Sequence, residues 1–153
     1  RAIYATDVSA YRLDLAKKMG ADHVFDASQP KLIERIKEWT PDGVDVLLEM
    51  SGAPSALNDG FTLLKPGGEA ALLGLPGRPI EFDFDDLLFF QGIKVYCVIG
   101  RRIWKTWFQA QGLLYDKVVD LQPVITHRFP LEEYEHAFQL MISGECGKVV
   151  LQP

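Results

Sequence analysis

The sequence predicts an α/β fold built on a mainly parallel sheet, and three observations carry that expectation. Short β-branched runs alternate with helical patterns of about ten to fifteen residues, the rhythm of βαβ units. Residues 44–49 form an almost continuous apolar run broken by Asp45, as expected of a strand covered on both faces and central in its sheet. Four strand patterns end on residues suited to exposed ligand contact or tight backbone approach: Asp7, Ser51-Gly52, Gly74 and Gly100.

Read in order, residues 2–6 form a strand and residues 10–19 a helix, with Leu13, Ala16 and Met19 toward the sheet and Gly20 as its stop. Residues 23–25 give a second strand. Ser28 starts a helix with Pro30 in its first turn and a buried stripe of Leu32, Ile33, Ile36 and Trp39. Thr40-Pro41-Asp42-Gly43 turns the chain into the strand at 44–49, followed by a helix at 54–64. Lys65-Pro66-Gly67-Gly68 reads as a turn before the strand 69–73, and Gly74-Leu75-Pro76-Gly77 as the loop that ends it. A short helix at 83–90, a strand at 94–98 and a helix at 104–115 with clustered aromatics follow. Beyond Leu121 a strand at 123–129, an amphipathic helix at 131–142 and a strand at 148–151 form a tail that need not share the first sheet. The expected division is 1–120 and 121–153.

With 153 residues and 48% hydrophobic content, the chain has enough apolar mass for a real core, which excludes disordered and fibrous classes. The net charge of −5 comes without a basic run, so neither nucleic acid nor an anionic membrane is an expected partner. No stretch approaches the roughly 18 apolar residues of a spanning helix, and no signal pattern opens the chain; the expected location is the cytosol. Cys97 and Cys146 have no partner spacing and are expected to be buried free thiols. His23, His127 and His136 are scattered, and no metal ligand is expected within these residues. Arg1 is not an initiator and the sequence opens inside a strand pattern, so the chain is expected to be the back part of something larger.

A carboxylate at the carboxyl end of a parallel strand, such as Asp7, can accept hydrogen bonds from both hydroxyls of an adenosine ribose while its charge repels a 2′-phosphate, which leans toward NAD. The competing reading is that Asp7, or Ser9 behind it, caps the following helix. Arg12, five residues on, is placed to lie against an adenine ring or to brace the carboxylate, or else is a solvated helix-face arginine. Leu73-Gly74-Leu75 and Val98-Ile99-Gly100 end neighbouring strands where ligands of open α/β sheets bind, although Gly74 alone could be a turn residue. The acids Glu81, Asp83, Asp85 and Asp86 lack the spacing of a calcium loop and read as a solvated stretch. No G-x-G-x-x-G precedes a helix and no nucleophile with a placed base is visible, so no catalytic residue is assigned.

Taken together, Thr6-Asp7-Val8, Tyr11-Arg12-Leu13, Lys18-Met19-Gly20, Leu48-Glu49-Met50-Ser51-Gly52-Ala53-Pro54, Leu73-Gly74-Leu75-Pro76, Gly100-Arg101 with Thr106-Trp107, Pro123-Val124-Ile125-Thr126-His127-Arg128-Phe129 and Gly147-Lys148-Val149-Val150 closely resemble the zinc-dependent L-threonine 3-dehydrogenases of the medium-chain dehydrogenase superfamily. The resemblance spans nearly the whole chain. It implies a partial Rossmann-type doubly wound parallel sheet, lacking its first strand and glycine-rich loop, and a C-terminal strand-helix-strand tail belonging to the catalytic domain. It implies NAD-dependent oxidation of L-threonine to 2-amino-3-ketobutyrate by the parent protein, with zinc bound by residues outside this chain, which alone would be inactive. Another alcohol or polyol dehydrogenase of the superfamily, or a non-catalytic NAD-binding or assembly module, stands as the alternative. The resemblance places Asp7 on the adenosine ribose and Arg12 beside the adenine. It places Leu73, Gly74 and Leu75 along the ribose and nicotinamide side, the backbone of Val98 and Ile99 at the carboxamide, and Lys148 more loosely near the pyrophosphate. It also implies a homotetramer assembled as a dimer of dimers through the edge strand at 94–98.

In the strand order of such sheets the absent strand lies between residues 2–6 and 44–49, a slot of about 9 to 10 Å at an interstrand spacing of ~4.8 Å. On the order of ten unpaired backbone groups would line it, at ~1 to 3 kcal/mol each when buried. The parent chain is therefore expected to supply that strand, unless Tyr4 pairs directly with Leu47.

Overall fold

The computed structural model describes residues 1–100 and 102–153; Arg101, quoted in the resemblance, lies outside the described residues. The chain divides into two compact units, one of Arg1–Pro30 with Arg102–Pro153 and one of Lys31–Arg101.

The first unit opens with β1 (Tyr4–Asp7), α1 (Ala10–Lys18) and β2 (His23–Asp26). β1 and β2 pair in parallel, Tyr4 opposite His23 and Asp7 opposite Asp26. α1 packs against both strands and buries Leu13, while Phe25 is buried from β2. Met19, expected on the buried stripe, is exposed. The helix stops just before it: Gly20, at φ +103°, lets its own N–H reach the Lys17 carbonyl and the Ala21 N–H reach that of Ala16.

The second unit holds α2 (Leu32–Lys37), β3 (Val44–Glu49), α3 (Pro54–Leu63), β4 (Leu64–Leu72) and β5 (Lys94–Cys97). α2 begins later than the Ser28 start expected from sequence. The Asp26 carboxylate takes both the Ser28 N–H, at 2.8 Å, and its hydroxyl, at 2.6 Å, so Ser28 belongs to a turn rather than to a cap. Leu32 and Ile36 are buried as expected, whereas Trp39, beyond the helix end, is exposed.

The sheet order is β3-β4-β5, all parallel. This corrects the placing of the strand at 44–49: β4 is central and β3 lies at an edge of this sheet. Val46 and Leu48 are 54% and 62% exposed, so β3 is covered on one face rather than two. Leu47, from the opposite face, packs on the core of Leu57, Phe61, Leu64 and Ala70. The turn expected at 65–68 is a bulge within β4: Val44 faces Leu64 and Val46 faces Glu69. Among the described residues β1 pairs with β2 alone and β3 with β4 alone, so the direct Tyr4 to Leu47 pairing does not occur. Asp85–Phe89 forms a single wide helical turn closed by the Phe90 N–H on the Asp85 carbonyl.

The first unit resumes with α4 (Lys105–Tyr115), β6 (Ile125–Pro130), α5 (Tyr134–Ser143) and β7 (Lys148–Gln152). β6 and β7 pair in parallel in a sheet of their own, in line with the separate tail expected from sequence. α5 packs on both and buries Ala137. Both cysteines are free thiols, but only Cys146 is buried; Cys97 is exposed because the edge strand β5 lacks cover on that side among the described residues. No helix is long and apolar enough to cross a membrane among the described residues.

Candidate functional site at the strand ends

Asp7 closes β1, where its carbonyl accepts the Ala27 N–H at 3.0 Å and fixes the strand end. Its side chain is half-buried. Oδ1 accepts the Ser9 N–H at 2.9 Å, and Oδ2 faces Arg12 Nη1 at 3.9 Å. The cap of α1 is Ser9, whose hydroxyl oxygen accepts the Arg12 N–H at 3.4 Å and donates to the Gly144 carbonyl at 3.4 Å. Capping is therefore not the job of Asp7. At this distance and exposure the Asp7–Arg12 pair contributes about 0 to 1 kcal/mol, so its consequence is orientation of the two groups rather than stability.

In the second unit β3, β4 and β5 run parallel, so their carboxyl ends share one edge of the sheet. Ser51-Gly52, Leu73-Gly74-Leu75 and Val98-Ile99-Gly100 leave from that edge. The Val98 N–H reaches the Leu72 carbonyl at 2.9 Å and extends the ladder past Cys97. Leu75 is 89% and Ile99 97% exposed, with Leu73 and Val98 about half so: an open apolar rim. At the amino end of β5, away from that edge, Lys94 Nζ donates to Glu69 Oε1 at 3.1 Å, and that hydrogen bond holds the ammonium above its ordinary pKa. Lys148 starts β7, exposed and opposite Ile125.

One residue of this edge was not singled out by sequence reading. Glu49 is 3% exposed, and its carboxylate is met by the N–H groups of Ser51 and Gly52 and by the Ser51 hydroxyl. The available signal was a lone acid ending an apolar run, which Asp45 within the same run obscures because it is acidic and exposed.

The acids from Glu81 to Asp86 are exposed and gather no ligand set. Among the described residues no group of three or more His, Cys, Asp or Glu could hold a metal ion, so zinc does not fit here. Taken by itself, the first unit offers a strand-end carboxylate with a neighbouring guanidinium, the chemistry a nucleoside ribose needs, and the second offers an exposed apolar rim at its strand ends.

Residues 2–115 match the family model of the zinc-binding dehydrogenases. The chain is 41% identical, over 99% of its length, to an L-threonine 3-dehydrogenase of Caldanaerobacter subterraneus subsp. tengcongensis. It is 43% identical, again over 99%, to one of Bacillus velezensis. It spans 44% of the length of each of these relatives. The crystal structure of benzyl alcohol dehydrogenase from Acinetobacter calcoaceticus superposes with a TM-score of 0.87 over 98% of this chain and 42% of that one, at 27% identity. A family match over most of the chain, on a fold with parallel strand-end sites, establishes that this chain belongs to the zinc-binding dehydrogenase family.

Proposed function

We propose that these residues form the NAD-binding and C-terminal part of an L-threonine 3-dehydrogenase, with a division near residue 120 between the cofactor-binding and catalytic domains. The observation that carries the cofactor half is Asp7, a strand-end carboxylate with one oxygen held by the Ser9 N–H and the other turned to Arg12, while Ser9 caps the helix. Asp7 serves the adenosine ribose and Arg12 the adenine. Leu73, Gly74 and Leu75 serve the ribose and nicotinamide side, and the Val98 and Ile99 backbone serves the carboxamide. When bound, NAD supplies the hydride acceptor for oxidation of a secondary alcohol.

The substrate half rests on the similarity to L-threonine 3-dehydrogenases over nearly the whole chain. The described residues act on the cofactor, and the zinc-dependent handling of the hydroxyl belongs to groups outside them. The reading includes a cytoplasmic homotetramer, with β5 as a contact edge because Val95 and Tyr96 are exposed along it. Sedimentation of the whole protein as a monomer at micromolar concentration would remove that part.

The test is formation of NADH by the whole protein with L-threonine, set beside benzyl alcohol and a vicinal diol. Threonine-dependent formation well above the others supports the reading. Equal or greater turnover of the other alcohols replaces threonine with another substrate of the same family.

A further inference from the structure

Among the described residues Glu49 is the one buried charged residue. A carboxylate taken out of water must be met by donors, and a well-packed apolar side chain would serve stability as well. Here the donors all come from one turn. Oε1 accepts the Ser51 N–H at 2.9 Å, the Ser51 hydroxyl at 2.5 Å and the Gly52 N–H at 3.0 Å, and Oε2 shares the Gly52 N–H at 3.2 Å. The Ser51 hydroxyl oxygen also accepts the Ala53 N–H at 3.1 Å, tying the carboxylate to the entry of α3.

The same residue grips the next strand's exit. Its carbonyl accepts the N–H groups of Leu73, at 2.8 Å, and Gly74, at 3.2 Å. Gly74 abuts the Gly52 N–H and Glu49 Oε2, leaving no room for a Cβ; Gly52, at φ +71°, abuts the Leu75 backbone. Movement of the carboxylate therefore moves Gly52, and Gly52 moves the backbone of Gly74 and Leu75.

We propose that Glu49 is a positioning residue for the nicotinamide half of the cofactor, acting through Gly52 on the Leu73-Gly74-Leu75 backbone without touching the cofactor. This rests on the NAD reading above. That reading gives Asp7 and Arg12 to the adenosine half, so AMP, which lacks the nicotinamide, reports on them and not on Leu73-Gly74-Leu75.

The experiment measures NADH and AMP binding by calorimetry on the whole protein, as wild type, Glu49→Gln and Ser51→Ala. Glu49→Gln keeps the shape but turns an amide donor toward the Gly52 N–H. Its NADH affinity is expected to fall about tenfold while AMP affinity stays within about twofold; Ser51→Ala, which loses one hydroxyl, is expected to show the same split at about threefold. Unchanged NADH affinity in the folded variants, or NADH and AMP affinities falling together as for a merely structural role, would overturn the proposal. Should Glu49→Gln fail to fold, Ser51→Ala decides by the same criteria. A wild type that binds neither probe overturns the NAD reading itself, whereas binding of both by wild type and variants alike overturns only the role of Glu49.

Discussion

Gly74 lies so close to Gly52 that a Cβ added to Gly74 would stand 2.8 Å from Gly52 Cα, and nearer still to the Gly52 nitrogen and Glu49 Oε2. The neighbours are backbone and a buried carboxylate held by the Ser51-Gly52 turn, so neither gives way cheaply. Two loops that leave adjacent strands are thereby locked at the edge where the candidate site lies.

Gly74→Ala is accordingly expected to destabilise the protein by ~1 to 3 kcal/mol through overpacking. Gly77, three residues on, has nothing within 4 Å of an added Cβ, so Gly77→Ala should change stability by less than about 0.5 kcal/mol. Urea midpoints of the two variants check the contrast.

The division of labour between Ser9 and Asp7 has a thermodynamic signature. Ser9→Ala removes the cap of α1 and is expected to cost ~0.5 to 1 kcal/mol. Asp7→Asn keeps an oxygen for the Ser9 N–H and should change stability by less than about 0.5 kcal/mol. Equal losses in thermal unfolding would return the capping role to Asp7.

Phe61 is 3% exposed at the centre of the second unit's core, edge-on to Phe82 at a centroid distance of 5.0 Å. Phe61→Ala should cost ~3 to 5 kcal/mol in chemical denaturation, the usual loss for a buried aromatic.

Asp59, on α3, is pushed above the ordinary carboxylate pKa by partial burial. Its charged form is disfavoured in the fold, so the native state holds the proton more readily than the unfolded chain. The contribution of Asp59 to stability is thus most favourable below the ordinary value of 3.8 and is lost as pH rises through the higher folded value. Asp59→Asn should therefore be more stable than wild type at neutral pH, and the advantage should vanish as the pH falls toward 3.8. An advantage that persists or grows in acid would show that desolvation of Asp59 is not its source.

Most strands could be read from the sequence to within a residue or two, because apolar runs there are bounded by Gly, Pro or Asp, which interrupt both kinds of periodicity. Asp7 and the Leu73-Gly74-Leu75 exit were legible for the same reason: they are local, marking where a strand stops. What depended on which donors a side chain takes, or on which chain lies beside a strand, was not legible. Ser28 looks like a helix cap until Asp26 takes both of its donors. The apolar run of β3 implies cover on both faces, yet Val46 and Leu48 stand exposed because cover depends on which chain lies beside the strand. Glu49 and Asp45 are the same kind of acid in the same strand, and only the turn at Ser51 and the exit at Gly74 make one a buried hub and leave the other exposed.

The role of Asp7 is tested most directly by titrating the whole protein with NAD and NADP, as wild type and as Asp7→Ala. Wild type is expected to prefer NAD, and the variant to lose about tenfold or more in NAD affinity with most of the preference. Unchanged NAD affinity and unchanged preference in Asp7→Ala would contradict the account.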